Sequence, residues 1–511
     1  MSEPHPRTVV VLAAGEGKRM KSSLPKVLHP LLGRTLVGHV LNAADPLGAA
    51  RTLVVVGHGA DQVRAHLAGI APAATAVHQA EQLGTGHAVR IALEAAPEVT
   101  GTVVVLNGDV PLLRPETVVE LVTAHESEGA AATVLAAEVP DPTGLGRIVR
   151  DAAGRLEQIV EQRDASAAQL AVREINAGIY AFDAARLRDV LGKLSTDNDQ
   201  GEEYLTDVFK MLVSAGEPVG VHLAADHTET LGCNDRVELA ALRRLLRDRV
   251  NERWMRAGVS LLDPATTWID VTVALDRDAV VDQNTQLCGG SVVGSGAVVG
   301  PDVTLIDTVV GPGATVLRSH AVGAEVGPGA SVGPYAYLRP AARLAERSKV
   351  GTFVEVKNSE IGAGSKVPHL TYVGDATIGE QSNIGAASVF VNYDGVQKHR
   401  TVIGSHARTG ADNMFVAPVR VGDGAYTAAG SVIIEDVPSG AMGVARARQR
   451  NIDGWVLKRR AGTAAAEAAE RALRGAQGAP AAAPSASEGE AIHGTAESVG
   501  GAPGAGDTAT E

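Results

Sequence analysis

Three features of the 511-residue sequence predict an open α/β sheet followed by a parallel β-helix. Between Thr8 and about Glu229, short apolar runs alternate with helical stretches, the pattern of a sheet whose strands are joined by crossover helices. Beyond about Val326 the apolar residues recur every six positions, many of them followed by glycine. Glycine is abundant throughout (58 residues) and aromatic residues are scarce (3%), which suits tight corners and thin layers and disfavours a helical bundle.

The first domain, residues 1–233, is defined by the runs Val9-Val10-Val11-Leu12, Leu53-Val54-Val55-Val56 and Val103-Val104-Val105-Leu106. Continuous β-branched runs suit strands buried on both faces of a parallel sheet. Ala60 to Ala68 and His87 to Ala95 read as helices between such strands. Open sheets of this Rossmann-like kind bind ligands at the carboxyl ends of their strands. Residues 234–258, charged and rich in Leu and Arg, read as a linker helix. Residues 259–458 read as a left-handed β-helix whose frame is set by Val326, Val332, Leu338, Leu344, Val350 and Val356, then by Ile403, Thr409, Phe415, Val421, Thr427 and Ile433. In such a coil each six-residue rung forms one side of a triangle, the apolar residue points inward, and the small residue after it lets the chain turn. Asn392 to Arg400 interrupts the frame and predicts a projecting loop. Residues 459–511, rich in Ala, Gly and Pro, offer a helix at Ala461 to Gly475 and disorder beyond it.

Composition excludes several classes of function. A formal charge of -13 argues against general nucleic-acid binding, which asks for a basic stripe. Cys233 and Cys288 are isolated, so they make neither a metal-spaced pair nor a disulfide framework, and a reducing cytoplasmic setting is expected. Met1 to Arg7 lacks the apolar core of a signal peptide, and no apolar run is long enough for a membrane helix.

After the first strand comes Leu12-Ala13-Ala14-Gly15-Glu16-Gly17-Lys18-Arg19-Met20, and soon after it Leu24-Pro25-Lys26-Val27-Leu28. A glycine-rich turn lets backbone N–H groups approach phosphate oxygens, and Arg19 and Lys26 add positive charge. The string is neither a Walker A loop nor a full dinucleotide fingerprint. It resembles the signature of sugar-1-phosphate nucleotidyltransferases. Gln82-Leu83-Gly84-Thr85-Gly86-His87-Ala88 is similar to that family's uracil-contacting loop. Asn107-Gly108-Asp109-Val110-Pro111-Leu112 ends the third apolar run with a carboxylate at the ligand edge of the sheet. An isolated Asp109 would read as a cap or turn residue, but in this position it is expected to bind Mg²⁺. The resemblance implies Asn234 as the second metal ligand, although alone it would read as the N-cap of the linker helix. It also implies UTP contacts from Leu12, Ala13, Gly15, Lys26, Gln82, Gly84 and Thr85, and sugar contacts from Gly146, Glu161 and Asn176. The implied reaction is attack of a sugar phosphate oxygen on the α-phosphorus of UTP with loss of pyrophosphate, which needs alignment and charge neutralisation more than a protein nucleophile.

The β-helix carries a second group of polar residues. The strings Tyr337-Leu338-Arg339-Pro340, Phe353-Val354-Glu355-Val356-Lys357, His369-Leu370-Thr371-Tyr372-Val373-Gly374-Asp375 and Asn392-Tyr393-Asp394-Gly395 lie on neighbouring rungs and the projecting loop. They closely resemble the acetyltransferase half of the bacterial family that acetylates glucosamine-1-phosphate and uridylylates N-acetylglucosamine-1-phosphate. That resemblance runs from about Thr8 to Trp455. Amine acetylation needs a free lone pair, and His369 titrates in the range to take the proton, with Glu355 to orient its ring. Arg339, Lys357 and Lys398 suit the sugar phosphate, and Tyr372 and Asn383 its hydroxyls. By resemblance Asn392 and Tyr393 line the site, and Ala386, Ala411, Ala429 and Arg446 contact acetyl-CoA. Ala411 departs from the Ser often found there, which removes one hydroxyl contact. The family also implies a homotrimer.

Two other architectures share these parts. One is a nucleotidyltransferase with a purely regulatory solenoid, as in ADP-glucose pyrophosphorylases. His369, Glu355 and the 392–400 loop speak against it. The other is a non-enzymatic regulatory subunit, as among translation exchange factors. Arg19, Lys26 and Asp109 speak against that.

Overall fold

A computed structural model describes residues 5–198 and 200–477. The chain forms one compact unit through Arg446 and a second from Ala447. The first unit opens with a nine-stranded sheet of β1 (Arg7–Ala13), β2 (Arg51–Val56), β3 (Thr75–His78), β4 (Thr102–Asn107), β5 (Ala132–Glu138), β6 (Arg147–Arg150), β7 (Leu156–Val160), β8 (Glu174–Asp183) and β9 (Val219–Leu223). Its spatial order is β9-β5-β8-β4-β1-β2-β3, with the β6–β7 hairpin attached to β8.

The continuous apolar runs are explained by burial on both sides. Val10, Leu53, Val55, Val103 and Val105 pack against Val89, Leu93, Leu187 and Phe209 on one face. Val9, Val11, Val54, Val104 and Leu106 pack against Val37, Val40, Val63, Leu67 and Leu121 on the other. The sheet is not wholly parallel as expected. β8 runs antiparallel to both β4 and β5. It enters the sheet by way of the β6–β7 hairpin rather than a crossover helix, and only a crossover returns the chain in the same direction.

The linker helix spans Arg236–Arg256 and is an anchor rather than a tether. Its Leu239, Leu242, Leu246 and Val250 are buried in one cluster with Leu31, Leu32 and Leu36 of the first domain and Val259, Leu261 and Ile269 of the first coil. Each such burial is worth about 1.5–3 kcal/mol. The buried Asn251 amide donates to the Pro264 and Thr267 carbonyls at 2.9 and 3.0 Å, fixing the turn into the coil.

From Ser260 onward the chain winds through three parallel sheets of seven, ten and nine short strands, the three sides of a left-handed β-helix of hexapeptide repeats. Val326, Val332, Leu338, Leu344, Val350 and Val356 all point inward and are buried, as are Ile403, Thr409, Phe415, Val421, Thr427 and Ile433. The same frame starts earlier than the sequence reading marked it. Ile269, Leu275, Val281, Leu287, Val293, Val299 and Leu305 are also buried at six-residue spacing. Steps of five at Val310, Ala321 and Val326 then shift the phase.

The small residues serve close stacking between coils. A Cβ on Gly327 would sit 2.6 Å from the Leu344 carbonyl oxygen of the next coil, and one on Gly422 would meet the Ser439 backbone. The break in the frame is a loop whose residues 393–398 are exposed, closed by an antiparallel bridge between Tyr393 and Lys398. In the second unit Trp455–Arg459 and Ala464–Gln477 are helical. The disorder expected beyond Gly475 falls, from residue 478, outside the described residues.

Stacking makes a direct forecast. Gly327→Ala should lose about 1–3 kcal/mol of stability through overpacking. Gly290→Ala should be nearly neutral, because its Cβ would meet only the Asp307 Oδ1 atom at 3.6 Å. Denaturant midpoints of the two variants check this, and equal midpoints would refute it.

Candidate active sites

The first cluster forms at the carboxyl ends of β1 and β4. The Gly108 N–H donates to Leu12 O at 2.9 Å, holding the two strand ends together. Just beyond Leu12 and Ala13, the Ala14 carbonyl accepts from the His58 N–H at 3.2 Å and from the Gln82 amide at 2.8 Å. Gly15 has open space above it. Gly17 adopts φ 63°, and a Cβ there would lie 2.8 Å from the Lys26 Cβ, so the absence of a side chain lets Lys26 fold over the turn. The Lys26 ammonium hydrogen-bonds the Asp109 carboxylate. Lys26, Arg19 and Asn234 line one cavity of about 220 Å³ with Glu16, Gly17 and Lys18. Lys18 pairs with Glu16 at 2.9 Å, whereas the exposed Arg19 has no side-chain partner among the described residues.

Asn234 reaches this cavity because the Cys233 N–H donates to Asp109 O at 2.9 Å. It does not cap the linker helix. Asp235 does, accepting from the Val237 and Glu238 N–H groups, so the Asn234 side chain is left for the cavity. Burial first, and then the Asp109 charge, pushes the Cys233 thiol up to about 11. It therefore remains a thiol at neutral pH and is no nucleophile.

The loop carrying Gln82, Gly84 and Thr85 is clamped by residues that the sequence reading did not single out. The Glu203 N–H donates to Leu83 O at 2.7 Å, the Gly86 N–H donates to Glu203 O at 2.8 Å, and the Leu205 N–H donates to the Thr85 hydroxyl at 3.1 Å. Gly84, at φ 114°, has the Glu203 carbonyl 2.5 Å from where a Cβ would stand. Arg90 fixes the Glu203 carboxylate at 3.0 Å. The same segment ends at Thr206, whose hydroxyl donates to Glu161 Oε1 at 3.4 Å. Only backbone pairing between distant segments reveals this strap, so no local motif marks it.

Gly146, Glu161 and Asn176 do come together. Asn176 N–H donates to Gly146 O at 2.9 Å, and a Cβ on Gly146 would lie 3.4 Å from Glu161 Oε2. The Asn176 amide is held by the Tyr180 hydroxyl at 2.8 Å. Burial raises the Glu161 carboxyl above the ordinary range against a weaker lowering by Thr206. Beneath the loop the buried Arg147 donates to Leu145 O and to Gln162 at 3.1 Å.

The second cluster occupies one side of the coil. Tyr337 pairs with Glu355 and Glu355 with Tyr372 in register, so Arg339, Lys357 and Gly374 also stack on successive coils. Arg339 Nη1 donates to Glu355 Oε1 at 2.8 Å. Lys357 Nζ lies 3.6 Å from Asp375 Oδ2. The Asn392 amide donates to that same oxygen and reaches the Tyr372 hydroxyl at 3.4 Å. A Cβ on Gly374 would strike both the Tyr372 hydroxyl and the Asn392 amide, so only glycine admits them. Lys398, on the loop, comes against Lys357, and that like charge lowers its pKa. Tyr393 turns away to donate to Gly395 O at 2.7 Å.

His369 ends a strand at the neighbouring corner and is exposed. Its imidazole has no hydrogen bond among the described residues, and Glu355 is engaged by Arg339 instead of orienting it. The coil places His369 in a column. Ala387 N–H donates to His369 O, Asp412 N–H to Ala386 O and Gly430 N–H to Ala411 O. His369, Ala386, Ala411 and Ala429 thus stand at equivalent corners of successive coils. Asn383 lies around that corner, bridged to Lys366 and Arg408. Arg446 is exposed at the end of this unit.

Residues 9–177 match the family model of the MobA-like NTP transferase domain. The chain is similar to the bifunctional protein GlmU of Streptomyces avermitilis, with 62% identity over 470 residues, 92% of this chain and 98% of that one. It is 60% identical to the GlmU of Thermobifida fusca over 472 residues, again 92% and 98% of the two chains. It is 52% identical to that of Corynebacterium diphtheriae, with the same coverage.

Arg90→Ala should loosen the strap without unfolding the sheet. Amides at 86, 203 and 205 should exchange about fivefold faster, the equivalent of about 1 kcal/mol, while those of β1 and β4 keep their protection. Hydrogen exchange with peptide-level readout tests this, and unchanged rates at those amides would show that Glu203 needs no anchor.

Proposed function

The chain belongs to the bifunctional GlmU family, and from that premise we infer how its two clusters divide the work. The enzyme acetylates glucosamine-1-phosphate with acetyl-CoA and transfers UMP from UTP to N-acetylglucosamine-1-phosphate, giving UDP-N-acetylglucosamine and pyrophosphate for cell-wall precursor synthesis. The observation that carries the reading is likeness of 52–62% across nine-tenths of the chain, spanning both clusters.

In acetyl transfer, Arg339, Lys357 and Lys398 take the sugar phosphate and Tyr372 and Asn383 its hydroxyls. His369 accepts the proton of the C2 ammonium. The freed amine attacks the thioester carbonyl, the coenzyme A thiolate leaves and is protonated from the imidazolium, and the new amide nitrogen sheds its remaining extra proton to water. Glu355 acts through Arg339, steadying the guanidinium that faces the phosphate. The corner column of Ala386, Ala411 and Ala429 offers acetyl-CoA a smooth track of small side chains, Arg446 adds a cation for its phosphates, and Asn392 and Tyr393 line the site at the neighbouring corner.

In uridylyl transfer, Gln82, Gly84 and Thr85 read the base edge, and Leu12, Ala13 and Gly15 line the path of the ribose and phosphates. Gly146, Glu161 and Asn176 hold the sugar so that its phosphate oxygen faces the α-phosphorus. Arg19 and Lys26 offset triphosphate charge. The donor set fits a hard divalent cation, which we take to be Mg²⁺. The Asp109 carboxylate and Asn234 amide oxygen would supply two oxygens and leave the rest to phosphates and water. No group of three or more His, Cys, Asp or Glu able to hold a metal ion occurs among the described residues. When bound, the cation neutralises charge developing on the phosphates.

A homotrimer is supported by an exposed apolar ridge. Tyr335 and Phe353 stack at 5.5 Å, Leu370 continues the ridge, and all three are more than half exposed. Two free thiols favour the cytoplasm. No described helix is long and apolar enough to cross a membrane, and the charge of -13 argues against general nucleic-acid binding.

Asp109→Ala should abolish uridylyl transfer and leave acetylation near normal. His369→Ala should cut acetylation by about 10²–10⁴-fold and leave uridylyl transfer from supplied N-acetylglucosamine-1-phosphate intact. Assays of each half-reaction decide this. Joint loss of both activities in either folded variant would refute the assignment.

A further inference from the structure

Asp375 is a buried carboxylate that no step above uses. It sits at a coil corner with φ 50°, where Asp and Asn are the side chains best tolerated. Asn358 Nδ2 donates to its Oδ1 at 2.6 Å. Its Oδ2 accepts from the Asn392 amide and faces Lys357 Nζ at 3.6 Å. Lys398 and Lys357 both end in ammonium groups, which only donate, so their contact is repulsive unless a countercharge lies between them.

We propose that Asp375 is a positioning residue for phosphate recognition in the acetyl-transfer site, a built-in counter-ion that holds Lys357 and Lys398 side by side and ties the projecting loop to the coil through Asn392. This rests on the acetyltransferase reading above. In the free enzyme the carboxylate compensates part of the charge of two lysines. A sugar phosphate dianion then meets cations already held beside a countercharge, so less ordering is needed on binding.

The electrostatics agree. Burial alone would raise the Asp375 carboxyl, but hydrogen bonds from Asn358 and Asn392 and the charges of Lys357 and Lys398 outweigh it, and the net shift is down. The charges acting on Lys398 are Lys357 and Arg339, which lower it, and Asp375, which raises it. Arg339 is itself paired with Glu355, and on the loop His399 pairs with Asp394 at 2.7 Å.

The test uses the full-length enzyme, with steady-state acetylation measured against glucosamine-1-phosphate and against acetyl-CoA. Asp375→Asn keeps the shape and tolerates the corner. It should raise KM for glucosamine-1-phosphate about ten- to hundredfold, as expected for losing a charged hydrogen-bonding partner. KM for acetyl-CoA and the uridylyl transfer rate should stay within about twofold, the range of a side chain that touches neither ligand. Without the negative charge Lys398 loses its proton more readily, so the alkaline limb of kcat/KM for glucosamine-1-phosphate should move to lower pH. Asn358→Gly, at an exposed position with φ 45°, removes the donor to Asp375 Oδ1 and should raise KM for glucosamine-1-phosphate about fivefold while KM for acetyl-CoA holds, which keeps the proposal testable if Asp375→Asn fails to fold. An unmoved limb in folded Asp375→Asn enzyme, an unchanged KM for glucosamine-1-phosphate in the folded variants, or equal damage to KM for both substrates, would overturn the positioning role. Failure of the unmutated enzyme to acetylate glucosamine-1-phosphate would instead overturn the acetyltransferase reading itself.

Discussion

One apolar column sets the geometry of both halves of this protein. It begins under the nucleotide-binding domain at Met20, Leu31 and Leu36, passes through Leu239 to Val250 of the linker helix, and continues up the coil through Ile269, Val299, Val350 and Phe390 to Ile433. Every inward side chain stacks on its equivalent one turn away, so neighbouring coils are held at the strand spacing of about 4.8 Å. Outward residues inherit that spacing. Arg339, Glu355, Lys357 and Tyr372 share a face because Leu338, Val356 and Val373 stack inside it. The glycines belong to the same constraint, since the coils close to a distance that a Cβ at Gly327 or Gly422 would forbid.

The site in the sheet depends on this column less directly. Its glycine-rich turn is set by β1 and β4, buried on both faces, and its Lys26–Asp109 pair closes across the two strand ends. Asn234 joins them from the first residues after the domain, just ahead of the helix that seals the column. The two candidate clusters are thus built on one continuous scaffold while drawing on separate side chains.

Much of this was legible in the sequence because it is periodic or contiguous. Val9 to Leu12 shows a strand buried on both faces, and Val326 to Val356 shows a coil. The earlier coils at Ile269 to Leu305 obey the same six-residue period, but the five-residue steps at Val310, Ala321 and Val326 break the count between the two stretches. The antiparallel direction of β8 was not legible, because apolar pattern carries no strand direction. Contacts between distant segments were equally hidden. The Glu203 strap on the Thr85 loop, the capture of Glu355 by Arg339 and the convergence of Asn358, Asn392 and Lys357 on Asp375 exist only once the chain is folded. Asp235 rather than Asn234 caps the linker helix, a one-residue choice between two good cap formers.

The central claim is that two independent sites on one chain run consecutive reactions through a released intermediate. Its most direct measurement mixes Asp109→Ala enzyme with His369→Ala enzyme, supplies glucosamine-1-phosphate, acetyl-CoA and UTP, and follows UDP-N-acetylglucosamine by chromatography. Little product is expected from either variant alone and restored synthesis from the mixture, since one variant makes N-acetylglucosamine-1-phosphate and the other consumes it. A mixture no more active than its components, with both proteins folded, would contradict it.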